Sequence, residues 1–227
     1  MNILAIDTAT KNLSLAVSSG GKIAAYKNQR LEKVLSNAIM PAIVGVLKKA
    51  GLALVDVDGF AAGLGPGSFT SLRVGLATIK GLALALDKPV VGIASLDILA
   101  KNVSEDGPIC ALMDARRQLV YGCLYENKGG VLKKRSAYLL MGIEDLMKKI
   151  KGPMTFIGDG LLLYQDRIEE LSQKADIIPH FISEKLWSPQ AQALAALALP
   201  QFKSRRYDDV DRLVPIYLYP EDCQVGK

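Results

Sequence analysis

The chain has 227 residues, half of them hydrophobic, with 28 Lys and Arg against 23 Asp and Glu, for a net charge of +5. That composition excludes an intrinsically disordered chain, and the length suits one large domain or two of about 100 residues each. The mild positive balance allows RNA nearby, but by itself speaks to solubility rather than to a partner.

Asn2–Ile6 reads as an apolar strand ending at Asp7. Asn12–Ser18 alternates Leu13, Leu15 and Val17, and Ser19-Gly20-Gly21 turns the chain into a third strand, Lys22–Lys27. A helix follows over Leu31–Ala50, stopped by Gly51 and kinked at Pro41. Strand Gly59–Leu64 runs through Gly65-Pro66-Gly67-Ser68 into a helix from Thr70 to Leu86. Pro89–Ile93 is the next strand, and Ser95 caps a short helix over Leu96–Lys101.

The pattern then restarts. Pro108–Met113 is an apolar strand ending at Asp114, Leu119–Tyr125 is a second, and Asn127-Lys128-Gly129-Gly130 turns into a third, Val131–Leu139. Helix Ile143–Ile150, strand Met154–Ile157, the turn Gly158-Asp159-Gly160, a helical stretch and a short strand at Asp176–Ile178 follow. A last helix begins at Ser188-Pro189, with Ser as cap and Pro at the first position, and runs to Leu199. Lys203-Ser204-Arg205-Arg206 then reads as a solvated linker. It leads back to the first domain, where Val214–Tyr219 adds a strand or helix segment. The predicted domains are residues 1–103 with 208–227, and residues 104–207.

A strand–strand–strand–helix, strand–helix unit thus occurs twice, each copy opening on a strand that ends in Asp. The fold class is α/β, a duplicated unit that resembles the actin-like ATPase (ASKHA, ribonuclease H-like) architecture of actin, sugar kinases and heat-shock chaperones. In that architecture the two Asp-bearing hairpins flank a nucleotide.

The remaining chemistry is sparse. Cys110, Cys123 and Cys223 have no CxxC spacing and read as reduced, buried thiols. His180 is the only histidine and reads as a surface or loop residue, which excludes a site built on several histidines of this chain. No leader precedes the first strand and no run of 18 apolar residues occurs, so a cytoplasmic protein with no membrane span is expected.

Three turns have two open readings each. Asp7, Thr8 and Thr10 could hold a phosphate or metal-bound water, or form an ordinary Asx turn. Asp114 and Arg116 could meet an anion or sit on a solvated turn. Gly158 and Gly160 could admit a nucleotide or simply turn the chain. The helix opened by Gly65–Ser68 could present free N–H groups to an anion. It lacks the Lys and spacing of a P-loop, and its small residues favour a packed joint. Leu31, Leu35, Ile39 and Ile43 of the first long helix, with Ser68, Arg73, Gly75, Ala77 and Gly81 of the second, are candidates for a protein interface.

Four segments carry a family resemblance: Ile3-Leu4-Ala5-Ile6-Asp7-Thr8-Ala9-Thr10, the stretch Gly65-Pro66-Gly67-Ser68-Phe69-Thr70-Ser71-Leu72-Arg73-Val74-Gly75, Met113-Asp114-Ala115-Arg116-Arg117, and Pro215-Ile216-Tyr217-Leu218. The chain resembles the TsaB (YeaZ) proteins of the glycoprotease-like family. The resemblance implies a non-catalytic scaffold or activator subunit in tRNA threonylcarbamoyladenosine biosynthesis, where a threonylcarbamoyl group is placed on an adenosine next to the anticodon. It implies heterodimerisation with a TsaD-like catalytic paralogue through the two N-terminal helices, a TsaE-like ATPase partner, and a homodimer when alone. ATP and metal are expected on the partner subunits, no catalytic or metal-binding residue on this chain, and tRNA as substrate of the complex.

The family's catalytic branch places two histidines on the first long helix, and this chain has none there. It also departs from many TsaB relatives, with Leu35-Ser36-Asn37 where they show His-Ser-Glu. Two alternatives stand beside the scaffold reading. One is a nucleotide-binding ATPase or kinase-like enzyme using Asp7 and Asp114. The other is the peptidase of the family's historical label, against which the lone histidine argues.

Overall fold

A computed structural model describes residues 1–31 and 34–219; Cys223 lies outside them. The chain forms two units, Met1–Ile98 with Pro189–Ile216, and Leu99–Ser188 with the segment from Tyr217.

In the first unit β1 (Asn2–Asp7), β2 (Asn12–Ser19) and β3 (Lys22–Arg30) form an antiparallel meander. β4 (Gly59–Gly63) and β5 (Val90–Ile93) add parallel strands on the other side of β1, giving the order β3-β2-β1-β4-β5. Side chains alternate across a strand, so Leu4 and Ile6 pack on one face and Ile3 and Ala5 on the other. The first face is covered by α1 (Leu35–Lys49) and α2 (Phe69–Leu86) through Ile39, Ile43, Val46, Leu76 and Ile79. Pro41 lies inside α1, as the sequence requires.

The second face is covered by α6 (Ala191–Lys203), which departs from the expected division at residues 104–207. The reason is apolar packing. Ala191, Leu194, Ala195, Ala198 and Phe202 of the helix share one buried cluster with Ile3, Ala5, Ala16, Ala61 and Val91 of this sheet face. The start of α6 also shifts. Ala191 N–H donates to Ser14 Oγ on β2 at 2.6 Å, so its end is satisfied by the sheet rather than by Ser188 and Pro189.

Other boundaries move for local reasons. β3 continues to Arg30 because Leu31 N–H still donates to Lys11 O at 2.9 Å, which postpones α1 to Leu35. Val214–Tyr219 forms neither strand nor helix. The return to the first sheet is instead made by an antiparallel bridge of Asp208 to Val90, by Gly92 N–H on Asp208 Oδ2, and by Ile216 N–H on Leu64 O.

The second unit repeats the plan. α3 (Ser95–Lys101) leads to it, β6 (Gly107–Arg116), β7 (Leu119–Lys128) and β8 (Val131–Lys134) form its meander, and β10 (Met154–Ile157) and β11 (Pro179–Phe181) run parallel to β6. Its order, β8-β7-β6-β10-β11, matches that of the first sheet. The expected strand Val131–Leu139 splits into β8 and β9 (Leu139–Met141). At the break Leu124 N–H donates to Ser136 Oγ in place of a backbone acceptor. The short strand expected at Asp176–Ile178 starts three residues later, because Asp176 turns with φ +52°. α4 (Ile143–Met147) and α5 (Leu161–Lys174) bury Leu146, Leu161 and Ile168 against Cys110, Leu112, Val120 and Phe156. Cys110 and Cys123 are buried and form no disulfide among the described residues, and burial pushes the Cys110 thiol well up. His180 is exposed on the short strand β11.

α2 is long and apolar enough to cross a membrane by length and composition, with a mean hydropathy of 1.4. One face of it packs on the sheet; only 28% of the helix is buried.

Candidate functional site

At the end of β1, Asp7 is 1% exposed and its two carboxylate oxygens are both engaged. Ala9 N–H donates to Oδ1 at 2.9 Å, and Ser95 O–H donates to Oδ2 at 2.6 Å. Ser95 Oγ in turn accepts Gly65 N–H at 3.0 Å. Asp7 therefore ties the first strand to the Gly65–Ser68 loop and to the start of α3. Burial pushes its carboxyl up from 3.8 to about 6, and the bonds from Ser95 and Ala9 offset part of that.

The glycines of the family string are needed because the loop presses onto this turn. A Cβ on Gly67 would lie 2.2 Å from Ala9 O, and Ser68 N–H donates to the same oxygen at 2.7 Å. A Cβ on Gly63 would lie 1.9 Å from Asp7 Oδ2, and one on Gly75 2.3 Å from Thr8 Oγ1. Thr8 is buried and donates to Ser71 O at 2.9 Å; Thr10 is buried and its Oγ1 accepts Asn12 N–H at 3.1 Å. The hydroxyls and backbone atoms that could cradle a phosphate are thus occupied by the chain itself. A phosphate or metal here has to displace Ser95 or the loop, so the residues as arranged do not fit one. Among the described residues no group of three His, Cys, Asp or Glu is placed to hold a metal ion.

Ser95 could not be paired with Asp7 from sequence, since the two are 88 residues apart and only its capping position is legible. Changing Ser95 to Ala leaves a buried carboxylate oxygen and the Gly65 N–H without this partner. We expect a loss of about 2 kcal/mol in unfolding free energy, measured by urea titration.

The second unit builds a different turn. Asp114 Oδ1 accepts Arg116 N–H at 2.9 Å, and its Oδ2 pairs with the Arg116 guanidinium at 3.2 Å. Arg116, Arg117 and Gln118 are three successive left-handed residues at the hairpin tip, with φ of 67°, 51° and 61°. Tyr219 O–H donates to Ala115 O at 2.8 Å, and its ring meets Tyr121 edge-on. Asp159, between the two glycines singled out in the sequence, accepts Asp114 N–H at 3.2 Å. Burial, partly offset by that bond, raises its carboxyl to about 6. Gly158 has φ +130°, and a Cβ there would lie 1.9 Å from Leu112 O; Gly160 stands 3.2 Å from the Leu112 side chain by the same measure. Both glycines serve close packing on β6.

The interface candidates divide by face. Leu35, Ile39, Ile43 and Gly75 are buried in the first unit's core, and Leu31 packs partly against it. Ser68, Arg73, Ala77 and Gly81 are exposed. With Phe69, Leu84 and Ala85 they make a stripe along the outer side of α2, on which the Arg73 guanidinium stacks 3.7 Å from the Phe69 ring centre. Met40 and Val44 stand exposed on α1.

The family model for tRNA N6-adenosine threonylcarbamoyltransferase (TsaD) matches residues 29–221. The tRNA threonylcarbamoyladenosine biosynthesis protein TsaB of Bacillus subtilis is 32% identical over 222 residues, covering 96% of this chain and 94% of its own. The chain belongs to the TsaB (YeaZ) family. The solved structure of YeaZ from Pseudomonas aeruginosa superposes with a TM-score of 0.80 at 25% identity, over 96% of this chain and 99% of that one. The ROK hexokinase of Thermus thermophilus, at 11% identity and a TM-score of 0.50 over 90% of this chain and all of that one, shares the fold alone. The actin-like duplicated fold is thereby shown. In this TsaB-family chain the repeated strand order of the two sheets is that duplication.

Proposed function

We propose that this chain is a scaffold subunit of the tRNA threonylcarbamoyladenosine machinery, and that it pairs with a TsaD-like catalytic paralogue through the outer face of α1 and α2. The observation that carries the reading is α2. It is an apolar helix of which 28% is buried, and its outer stripe of Ala77, Gly81 and Ala85 lets another helix approach closely. Phe69, Leu84, Met40 and Val44 flank that stripe with exposed apolar surface. Asp7, Thr8 and Thr10 act as structural ties, and a homodimer on the same face forms when the paralogue is absent. The chain works in the cytoplasm beside the paralogue and a TsaE-like ATPase, with ATP and metal held by those subunits.

Gly81 tests this directly, because a side chain there meets nothing within 4 Å in the unit itself. Gly81→Trp and Ala77→Trp are expected to melt as the wild type does, yet to lose co-purification with the paralogue by about tenfold or more. Full retention of the paralogue by both variants would sink this interface.

A further inference from the structure

We propose that the β7–β8 hairpin of the second unit binds the phosphate backbone of RNA directly. Between Tyr125 and Tyr138 four cations, Lys128, Lys133, Lys134 and Arg135, accompany a single acid, Glu126. This net +3 compares with +5 for the whole chain.

The strand register shows how the charges are displayed. Glu126 stands opposite Lys133, and Lys128 opposite Val131. Opposed residues share a face, so Lys128, Lys133 and Arg135 line one exposed side of the hairpin. Arg135 pairs with Glu126, and the nearby positive charges of Lys128 and Lys133 also hold the Glu126 carboxyl below its ordinary value. Glu126 is therefore matched by Arg135, while Lys128 and Lys133 form no ion pair with a described residue. On the other side the Lys134 ammonium lies 4.1 Å from the centre of the Tyr138 ring.

The other charged groups at the tip are Lys101, which donates to Gly130 O at 2.6 Å, Asp106, which accepts Gly129 N–H at 2.8 Å, and exposed Glu105. Both acids precede β6, and Asp106 reaches the hairpin turn at Gly129, so Asp106 is the one described acid bonded to the tip.

β8 is an edge strand, and lysines on an edge discourage pairing with other strands. Edge protection does not account for Lys128 on the neighbouring strand or for Tyr138 beneath Lys134. Cations along one face of the hairpin, with a lysine-capped aromatic ring on the other, are what a phosphate backbone engages. That the polyanion is a tRNA rests on the proposed function; the charged face itself does not.

The test uses the full chain by itself and a fluorescein-labelled, unmodified tRNA transcript, read by anisotropy between about 50 and 200 mM KCl. We expect saturable binding at the lower salt. The triple variant Lys128→Gln, Lys133→Gln, Lys134→Gln should bind about tenfold more weakly, with the log–log salt slope reduced by about two. The control triple Lys203→Gln, Arg205→Gln, Arg206→Gln, at the end of α6, should bind as the wild type. No saturable binding by the wild type, or equal affinities for wild type and hairpin variant, would overturn the proposal. So would a hairpin variant that loses sedimentation with phosphatidylserine vesicles but keeps its tRNA affinity, since the face would then serve a membrane. Co-purification with the paralogue is read separately: its failure removes the scaffold reading and leaves the RNA result standing.

Discussion

Replacing Gly67 by alanine is expected to cost the first unit about 3 kcal/mol of unfolding free energy, at the upper end for overpacking. The added Cβ would stand 2.2 Å from Ala9 O and 2.9 Å from Ala9 C, which are backbone atoms with no rotamer to move into. The loop must lift, and lifting it breaks the 2.7 Å bond from Ser68 N–H to Ala9 O and strains the Gly65–Ser95–Asp7 chain of hydrogen bonds. Gly45→Ala is the matched control. Gly45 lies in α1 with open space around its Cβ position, so alanine there should gain about 1 kcal/mol through helix propensity. Urea titrations of both variants decide the matter, and a Gly67→Ala protein as stable as the wild type would mean that the loop does not press on the Asp7 turn.

Acidification from pH 7 towards pH 4 is expected to stabilise the protein through Asp7. The unfolded carboxyl releases its proton near 3.8, whereas the buried one holds it to about 6. Between those values the native state binds more protons than the unfolded state, so stability falls as pH rises through the window. Two pH units correspond to about 3 kcal/mol, present in full below the lower value and lost above the upper one. Asp159, also raised to about 6, acts in the same direction. Unfolding free energies at several pH values from 4 to 7 should therefore slope downward for the wild type, and more shallowly for Asp7→Asn. Superimposable profiles for the two proteins would show that Asp7 does not titrate in this window.

Much of the fold was legible because its signals are local. The alternation of Leu13, Leu15 and Val17 and the glycine pair Gly20-Gly21 define a hairpin without reference to anything distant, and the same holds for Leu119–Tyr125 with Gly129-Gly130, although that strand runs on to Lys128. The family string from Gly65 to Gly75 marks a strand-to-helix joint for the same reason. The buried and exposed faces of the helices were half legible. A helical pattern shows that α1 is rich in apolar residues, but an apolar arc wider than one core-facing stripe does not say which side faces the sheet. The structure buries Leu35, Ile39 and Ile43 and leaves Met40 and Val44 outside.

What the sequence determined by itself was the duplicated strand–helix plan, the family, and the positions of the turns, all of which depend on neighbours a few residues apart. Only the tertiary structure decided what the turns do. Asp7 is a buried tie because Ser95, far along the chain, donates to it, and α6 belongs to the first sheet because Ala191, Leu194, Ala198 and Phe202 share a buried cluster with Ile3, Ala5 and Ala61. Hydrogen bonds and apolar packing between distant segments leave no local periodicity, so they become readable only once the chain has folded.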